Sequence, residues 1–405
     1  MPSGGSRHAT STRSWPARET AVATVSAVTI LAVVLWASLA LLVWTHVGYP
    51  LLAALVARLF PRKVHADDGL PTVALVIAAY NEEDVIEAKL ENALALDYPR
   101  DRLRIIVASD ASSDRTDEIV RGFADRGVEL SVCPRGGKVN AQNVTVRGLD
   151  SDILAFSDAN CSWDPDALTR LVRVFGDPEV AYVCGRLRLR SPEGTNQEGL
   201  YWRYELWLRA RESRMHSVTG GNGSIYAVRR ESYEEVDPRF GHDLSFPYLM
   251  VKRGRRAVYA SDAVAWEKMT TDLEDEFHRK VRMFGHCWVL VLQGRMFGLR
   301  ALGPLYWVEM VSHRLLRYAS GLLHVLLLAT SIPLALVRGG VYWWILGAQV
   351  LLLLAALGSR LAGGRIRLLA VPHYYLLVTA ATLIALGEVV TRGVPPVWEK
   401  AEGTR

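Results

Sequence analysis

The chain of 405 residues is half apolar, carries a formal net charge of +5 and contains four cysteines. Its length is enough for two or three structural units. No basic stretch with interleaved aromatic residues is present, which argues against a nucleic-acid partner, and anionic lipid headgroups explain the modest positive charge more simply. The cysteines form no CxxC pair and no metal-binding spacing, so we expect reduced, packed thiols.

The apolar residues are concentrated in segments that are each about long enough to cross a bilayer, near roughly 20 residues. These segments are 24–45, 318–337, 341–359 and 368–390. Residues 48–60 are too short for a further span and predict an interfacial extension, with a separate second span as the less favoured alternative. Positive charge marks the cytoplasmic side of membrane proteins. Basic residues precede the soluble segment and fill the loop between the last two spans, namely Arg58, Arg62, Lys63, Arg360, Arg365 and Arg367.

The chain is therefore predicted to be a multi-pass protein of the cell membrane with its soluble domain in the cytoplasm, although its basic N-terminal tail argues against placing that end outside. The predicted parts are a disordered tail (1–20), a transmembrane helix with its interfacial extension (21–60), a soluble domain (70–295), an interfacial helix (296–317), three transmembrane helices (318–392) and a second tail (393–405). In the interfacial helix, we expect Tyr306 and Trp307 to lie at headgroup depth.

The soluble segment alternates short apolar runs with amphipathic helices. The runs that predict strands are 72–79, 103–108, 128–132 and 153–156. After the last of them, a helix is predicted with Asp164 as its cap and Gly176 at its end. Strands that alternate with helices predict an α/β fold with a mostly parallel sheet.

Polar residues follow three of these strands directly. They are Tyr80-Asn81-Glu82, Ser109-Asp110 and Asp158-Ala159-Asn160. For any one cluster a turn is an alternative explanation, because Asp and Asn bond to nearby backbone. Open α/β sheets, however, bind ligands beyond the carboxyl ends of their strands. Three such clusters therefore predict one site at this edge of the sheet.

Two later segments extend this prediction. Glycines and an asparagine at 220–223 precede another strand, and glycine allows backbone to approach a ligand closely. A helix is predicted to open at Thr271, with Glu274 completing a capping box. On it, Arg279, Arg282 and His286 are spaced by three and four residues, which predicts a cationic face suited to a diphosphate. A plain turn and a solvated basic face are the respective alternatives.

Several motifs occur in a specific order: VIAAYNEEDVI, VASDASSDRT, GGKVNAQN, FSDAN, TGGNGSIYAVRR and RKVRMFGH. Together, over about residues 70–290, they resemble the family 2 glycosyltransferases with the Rossmann-like GT-A fold. The membrane anchors are similar to those of the membrane-integrated branch, which includes hyaluronan, cellulose and poly-N-acetylglucosamine synthases. The resemblance implies inverting transfer of a sugar from a nucleotide donor, usually UDP-linked, and a need for Mg²⁺ or Mn²⁺.

The resemblance also implies roles for individual residues. The donor nucleotide would be bound by Ala79, Tyr80, Glu82, Asp110 and Asp158, with Lys138 near its phosphates. Asp158 and Asn160 stand where the family has Asp-x-Asp, so they would hold the metal, more weakly because Asn160 is neutral. The remaining assignments are Arg279 and Arg282 to the diphosphate, and Gly221, Asn222 and Gly223 to the acceptor.

The catalytic base is assigned to Asp243, where the family keeps an acid. His242 is a second candidate base, and a helix-capping role for Asp243 is the alternative. Met283 replaces the tryptophan that the family places near the acceptor sugar. Single addition to a polyprenyl phosphate or glycolipid therefore competes with polymer synthesis, and a non-catalytic nucleotide-sugar-binding protein is the less favoured third hypothesis.

Overall fold

The structure, a computed structural model, describes residues 15–190, 197–268, 273–294, 296, 299–361 and 367–393. The strands are β1 (Val73–Ala79), β2 (Leu103–Ser109), β3 (Val128–Val132), β4 (Ile153–Asp158), β5 (Cys161–Trp163), β6 (Val180–Arg190), β7 (Tyr226–Arg229) and β8 (Arg256–Lys268). The helices are α1 (Trp15–Val43), α2 (Tyr49–Leu59), α3 (Ile86–Leu94), α4 (Thr116–Arg121), α5 (Lys138–Val146), α6 (Ala167–Val172), α7 (Gln197–Met215), α8 (His242–Lys252), α9 (Leu273–Gln293), α10 (Leu299–Leu302), α11 (Pro304–Glu309), α12 (Leu316–Tyr318), α13 (Ser320–Arg338), α14 (Val341–Leu361) and α15 (Arg367–Thr391).

The strands form one eight-stranded sheet in the order β3-β2-β1-β4-β7-β6-β8-β5. β1 pairs in parallel with β2 and β4, and β2 pairs in parallel with β3. β7 is antiparallel to its neighbours β4 and β6, and β5 is antiparallel to β8. The predicted α/β fold with a mostly parallel sheet is confirmed, and the ends of β1, β2 and β4 lie at one edge.

The inner strands β1, β2 and β4 are buried on both faces almost throughout, which is why their sequences are mostly apolar, whereas the edge strand β3 is partly exposed. In β1, Val73, Leu75 and Ile77 pack into one core, whereas Ala74 and Val76 pack into the core on the opposite face. This alternation follows from the two-residue period of a strand. All four cysteines are buried and free, as predicted.

One helix boundary differs from the prediction. α6 begins at Ala167, preceded by Asp166, so Asp164 is not its cap. The Asp164 carboxylate instead accepts a hydrogen bond from Trp266 Nε1 at 2.7 Å, and the Asp164 N–H donates to Val264 O at 3.0 Å. Pairing with β8 therefore engages Asp164 before the helix starts.

Among the described residues, four helical segments are long and apolar enough to cross a membrane. They are Ser26–Leu59, Ser320–Arg338, Val341–Leu361 and Leu369–Thr391. The first is longer than predicted, because α1 continues through a π-helical turn (Trp44–Gly48) into α2. The predicted extension 48–60 is thus part of the same helix, and its Tyr49 and Ala53 pack on Leu208 of α7.

The N-terminal helix also starts earlier than predicted. α1 begins at Trp15, inside the predicted disordered tail 1–20, and proline is favoured in the first turn of a helix, where Pro16 lies. Residues 1–14 of that tail, and the second tail from 394 onwards, lie outside the described residues, as does the predicted cap at Thr271.

The predicted interfacial helix 296–317 is a series of shorter pieces. Gly303 separates α10 from α11, and a π-helical turn at Met310–Leu315 joins α11 to α12. Tyr306 is fully buried and donates from its hydroxyl to Val218 O at 3.0 Å. Tyr306 therefore contacts the soluble domain, and the position of Tyr306 and Trp307 at headgroup depth stays a prediction.

Candidate active site

The carboxyl edge of β1 and β2 holds two residues with left-handed backbone conformations. Asn81 has φ +52° and Ala111 has φ +56°, a region that few residues other than glycine adopt. Asn81 is held there because its Oδ1 accepts a hydrogen bond from Ser113 N at 2.8 Å. Asp110 N donates to Ala79 O at 2.9 Å, which joins the two strand ends. Such strain clusters at ligand sites.

Asp110 is fixed by the loop that precedes α5. Its carboxylate accepts from Gly136 N at 2.7 Å and from Gly137 N at 2.9 Å, and it pairs with Arg135. The Arg135 guanidinium lies 3.4 Å from the ring centroid of Tyr80. Two residues assigned to the nucleotide thus meet here. Arg135 was missed by sequence reasoning, since a lone arginine in a loop carries no motif.

Glu82 is buried at the same edge, two residues beyond Tyr80. Its N–H donates to Thr116 Oγ1 at 2.8 Å, and its carbonyl accepts from the N–H groups that open α3. The residue therefore ties the end of β1 to α3 and α4, at the position that the sequence assigned to the nucleotide.

Lys138 and Asp158 form an ion pair in front of the glycine segment. Lys138 Nζ contacts the Asp158 carboxylate and also donates to Gly223 O at 3.1 Å. Burial disfavours the ammonium, but the charge of Asp158 outweighs this and raises the pKa of Lys138. A side chain at Gly223 would place its Cβ 2.8 Å from Lys138 Nζ. The lysine is therefore part of the site, with a 25 % exposed side chain.

A second carboxylate, that of Glu267 on β8, stands near Asp158. Ser224 Oγ lies 3.3 Å from Asp158 Oδ2 and 3.4 Å from Glu267 Oε2. Asn160 Nδ2 donates to Glu267 Oε1 at 3.3 Å. Burial, followed by the charge of Asp158, raises the pKa of Glu267. Sequence reasoning missed Glu267, because only the pairing of β5 with β8 brings it here.

A buried lysine donates hydrogen bonds to the residues on either side of the turn between β4 and β5. Lys89 Nζ donates to Ser157 Oγ and to Cys161 O, both at 2.7 Å. Burial lowers the pKa of this ammonium. Lys89 thereby links the Ser157 side chain to the Cys161 backbone, on either side of Asp158 and Asn160, and its amine lies on the inner side of the site.

The glycine segment is packed more tightly than a plain turn requires. At Gly221 an added Cβ would lie 1.9 Å from the Tyr182 hydroxyl. Asn222 is buried, with Nδ2 donating to Gly185 O at 2.7 Å and Oδ1 accepting from Ile225 N at 2.9 Å. Asn222 therefore shapes the segment by holding its backbone.

Asp243 lies beside this segment, in the first turn of α8. Gly221 N donates to the backbone carbonyl of Asp243 at 2.7 Å. The helix starts at His242 with Gly241 as its cap residue and without a side-chain capping bond. The capping role considered for Asp243 is therefore wrong, and its carboxylate is partly exposed at the edge of the site.

His242, the alternative base, points away from the site. It is buried among aromatic rings, and its Nδ1 lies 2.8 Å from the Tyr226 hydroxyl. Burial, with the charge of Lys138, lowers the pKa of His242 to about 3. The imidazole is therefore neutral and inaccessible near neutral pH.

The predicted cationic face of α9 is only partly formed. Arg279 is partly exposed and bonds to Glu276 through Nε at 2.7 Å, and its charge acts on Glu267. Arg282 is partly exposed as well. His286 is buried, with Nδ1 2.9 Å from Arg239 O, and burial lowers its pKa. Its assignment to the exposed face is wrong, because α9 turns this side towards the domain.

Comparison with known proteins agrees with this geometry. Residues 74–237 match the model of a family described as glycosyl transferase family 2. A β-monoglucosyldiacylglycerol synthase of Synechocystis is 32 % identical over 163 residues, which are 38 % of this chain and 33 % of that protein. A poly-β-1,6-N-acetyl-D-glucosamine synthase of Staphylococcus aureus is 25 % identical over 225 residues, covering 53 % and 54 %.

Among solved structures, a mannosyltransferase of Pyrobaculum calidifontis, in complex with GDP-mannose and Mn²⁺, superposes with a TM-score of 0.67. The match covers 88 % of this chain and 99 % of that one at 23 % identity, which supports the fold. The chain spans about one third to one half of the length of the two curated relatives. Residues 74–237 thus match glycosyl transferase family 2, and the mostly parallel α/β sheet resembles that of GT-A glycosyltransferases.

Proposed function

We propose that the protein is a membrane-bound, inverting glycosyltransferase. It moves a sugar from a cytosolic nucleotide donor, UDP-linked, to a growing glycan or a lipid-linked acceptor for the cell surface. The observation that carries the proposal is the arrangement around Asp158. Within a family 2 domain, Lys138 and Gly223 meet this carboxylate, and the adjoining Gly221 is bonded to the backbone of Asp243.

The donor lies along the carboxyl edge of β1, β2 and β4 in this proposal. Tyr80 and Asp110 bind the nucleoside and exchange their present partner, Arg135, for it. Lys138, Arg279 and Arg282 offset the charge of the diphosphate as it leaves. Charge-assisted hydrogen bonds to phosphate are stronger than neutral ones, and they stabilise a leaving group most when its charge develops.

Asp158 and Asn160 would hold the divalent cation that this family uses. Both supply hard oxygen atoms, the donors that Mg²⁺ and Mn²⁺ prefer. Among the described residues, no cluster of three or more His, Cys, Asp or Glu side chains forms a self-sufficient metal cage. This fits a cation that is held jointly by the protein and the donor phosphates, where it would supply positive charge to the diphosphate.

Asp243 acts as the general base. It takes the proton from the acceptor hydroxyl, whose oxygen bonds to the anomeric carbon while the bond from that carbon to the diphosphate breaks. The nucleoside diphosphate leaves with the electron pair, and attack from the opposite face inverts the anomeric centre. The hydrogen bond from Gly221 N to the Asp243 carbonyl holds the acceptor segment and the base at a fixed distance from each other.

The four apolar helices favour an acceptor that is itself in, or passes through, the membrane. Transfer of a single sugar to a lipid is the second candidate, since Met283 stands 40 % exposed where the family has an aromatic side chain for the acceptor. One relative is named for a glycolipid and another for a polysaccharide, so the two candidates have equal support from the comparisons.

The test is transfer by isolated membranes from labelled UDP-glucose, UDP-galactose, UDP-N-acetylglucosamine and GDP-mannose, with Mg²⁺, Mn²⁺ or excess EDTA. We expect one donor to label a product, Mn²⁺ to serve at least as well as Mg²⁺, and EDTA to abolish labelling. Lipid-extractable label indicates single addition, and high-mass label indicates a polymer. Measurable UDP binding without transfer from any donor would favour the non-catalytic hypothesis, and full activity in EDTA would contradict the metal requirement.

A further inference from the structure

Glu267 lies outside the range that the family model matches, which ends at residue 237. It reaches the site through the antiparallel pairing of β5 with β8, in which Cys161 is opposite Glu267. The side chain of Asn160, one residue earlier, donates to Glu267 Oε1 at 3.3 Å. The acid on β8 is therefore placed beside the one position where this chain has an amide in place of a carboxylate.

The carboxylates of Asp158 and Glu267 share one neutral donor. Ser224 Oγ lies within 3.4 Å of both, but a hydroxyl carries one proton and can donate to only one of them at a time. Asp158 also has the ammonium of Lys138. Glu267 forms no direct ion pair within the described part of the chain, and the charges of Arg279 and Lys138 offset its own only partly, because burial and Asp158 still raise its pKa. Two carboxylates that converge in this way favour binding of a cation between them.

We propose that Glu267 is a ligand of the divalent cation, supplying the second carboxylate that Asn160 does not. The inference rests on the proposed function, since it concerns the same metal. Asp158 and Glu267 together offer two negative charges, and Asn160 becomes a ligand through its carbonyl once its amide orientation adapts. Mg²⁺ and Mn²⁺ commonly use one or two carboxylates together with substrate phosphates, which this donor set matches.

The experiment measures Mn²⁺ affinity of the full-length protein in detergent, with saturating UDP, from the electron paramagnetic resonance signal of free Mn²⁺. Glu267→Gln should weaken Mn²⁺ binding by about tenfold or more. Restoring a carboxylate nearby with Asn160→Asp should recover much of this loss in the double variant. Asp262→Asn, on the same strand outside the site, is the matched control and should bind Mn²⁺ like the wild type.

A direct ligand is distinguished from a merely structural residue by exchanging the donor atom. Glu267→Cys should lose Mn²⁺ affinity and gain affinity for Cd²⁺, because thiolates prefer softer metals. Gel filtration and UDP binding report whether each variant is folded. Either unchanged Mn²⁺ affinity in Glu267→Gln or no gain of Cd²⁺ affinity in folded Glu267→Cys would overturn the inference about Glu267. Neither result would contradict the proposed function. If the wild type binds no Mn²⁺ with UDP, the proposed metal requirement falls with this inference.

Discussion

At the scale of single residues, the central contact of the site is the ion pair between Lys138 and Asp158. Their ion pair leaves the lysine charged and close to Gly223 O. In the proposed mechanism, a diphosphate would compete with Asp158 for Lys138, while a cation would compete with Lys138 for Asp158. Both exchanges keep the charge of each group compensated, which avoids the cost of a buried unpaired charge.

The base is tested by Asp243→Asn. This substitution keeps the size of the side chain and leaves the backbone bond from Gly221 N intact. Loss of a general base lowers transfer by on the order of 10² to 10⁴, so we expect a folded protein that binds UDP and transfers almost no sugar. Initial rates with the preferred donor measure this. A rate within tenfold of the wild type would place the base elsewhere. The exposed Glu129→Gln is the control.

His242 makes stability depend on pH. Its pKa is 6.5 when unfolded and about 3 when folded, so below pH 6.5 the unfolded chain takes up a proton that the native state does not. Stability is therefore lost as pH falls, by about 2 kcal/mol between pH 7 and pH 5 for this group. Thermal unfolding of His242→Gln against pH should show a shallower loss than the wild type. Parallel stability curves for the two proteins would contradict this.

His242 is not the proposed base, so His242→Ala should retain a measurable fraction of transfer in the same rate assay.

At the scale of elements, a buried ionic network joins the N-terminal helix, α7 and the π-helical turn at Met310–Leu315. Glu212 accepts from the Tyr49 hydroxyl at 2.6 Å, and His313 Nδ1 lies 2.6 Å from the same oxygen. Arg314 Nε donates to Thr219 O at 3.1 Å, next to the glycine segment. π-Helical turns are frequent at functional sites. Here the turn places two basic side chains where they hold the segment that borders Asp243.

Removing one member of this network should destabilise the whole junction. Glu212→Ala leaves His313 and the Tyr49 hydroxyl without their shared acceptor, and breaking a buried pair costs about 3–5 kcal/mol. Glu129→Ala, which removes the exposed pair with Arg104, is the matched control and should cost about 0–1 kcal/mol. Thermal unfolding in detergent compares the two variants. Equal shifts would show that the buried network contributes no more than a surface pair.

At the scale of the whole molecule, the soluble domain sits against helices from both ends of the chain. α2 packs on α7, and α9 packs with α15 through residues such as Trp288, which donates to Thr382 O at 2.9 Å. Val218 and Thr219, directly before the glycine segment, accept hydrogen bonds from Tyr306 and Arg314 of this junction. In the proposed function, an acceptor that arrives from the membrane would meet the domain at the side where Gly221 and Asp243 lie.

Cysteine labelling tests the predicted orientation. All four native cysteines are buried, so the wild type should resist a membrane-impermeant maleimide. Arg338→Cys introduces an exposed thiol at the end of α13, and Glu118→Cys introduces one on the soluble domain. With a cytoplasmic domain, intact cells should label only Arg338→Cys, and broken cells should label both. Labelling of Glu118→Cys in intact cells would contradict the predicted orientation and place the domain outside the cytoplasm.

The amino-acid sequence by itself determined the places of the four long apolar helices, although not the full length of the first, the alternation of strands and helices, and the polar clusters at the ends of β1, β2 and β4. These features are local: bilayer length, side-chain period and turn chemistry operate within about 20 residues. Near the helix ends local rules failed, as at Asp164, where a tryptophan 102 residues away engages the expected cap.

Only the tertiary structure decided which side chains complete the site. Glu267 meets Asn160 across 107 residues, and Tyr49 meets Glu212 across 163. Likewise, His242 and His286 are buried because the faces of α8 and α9 that carry them pack inward. The sequence suggests a candidate base at His242 and a place on a cationic face for His286. Strand pairing and helix docking bring together residues that no local pattern connects, so the second carboxylate of the site and the neutrality of His242 follow from packing alone.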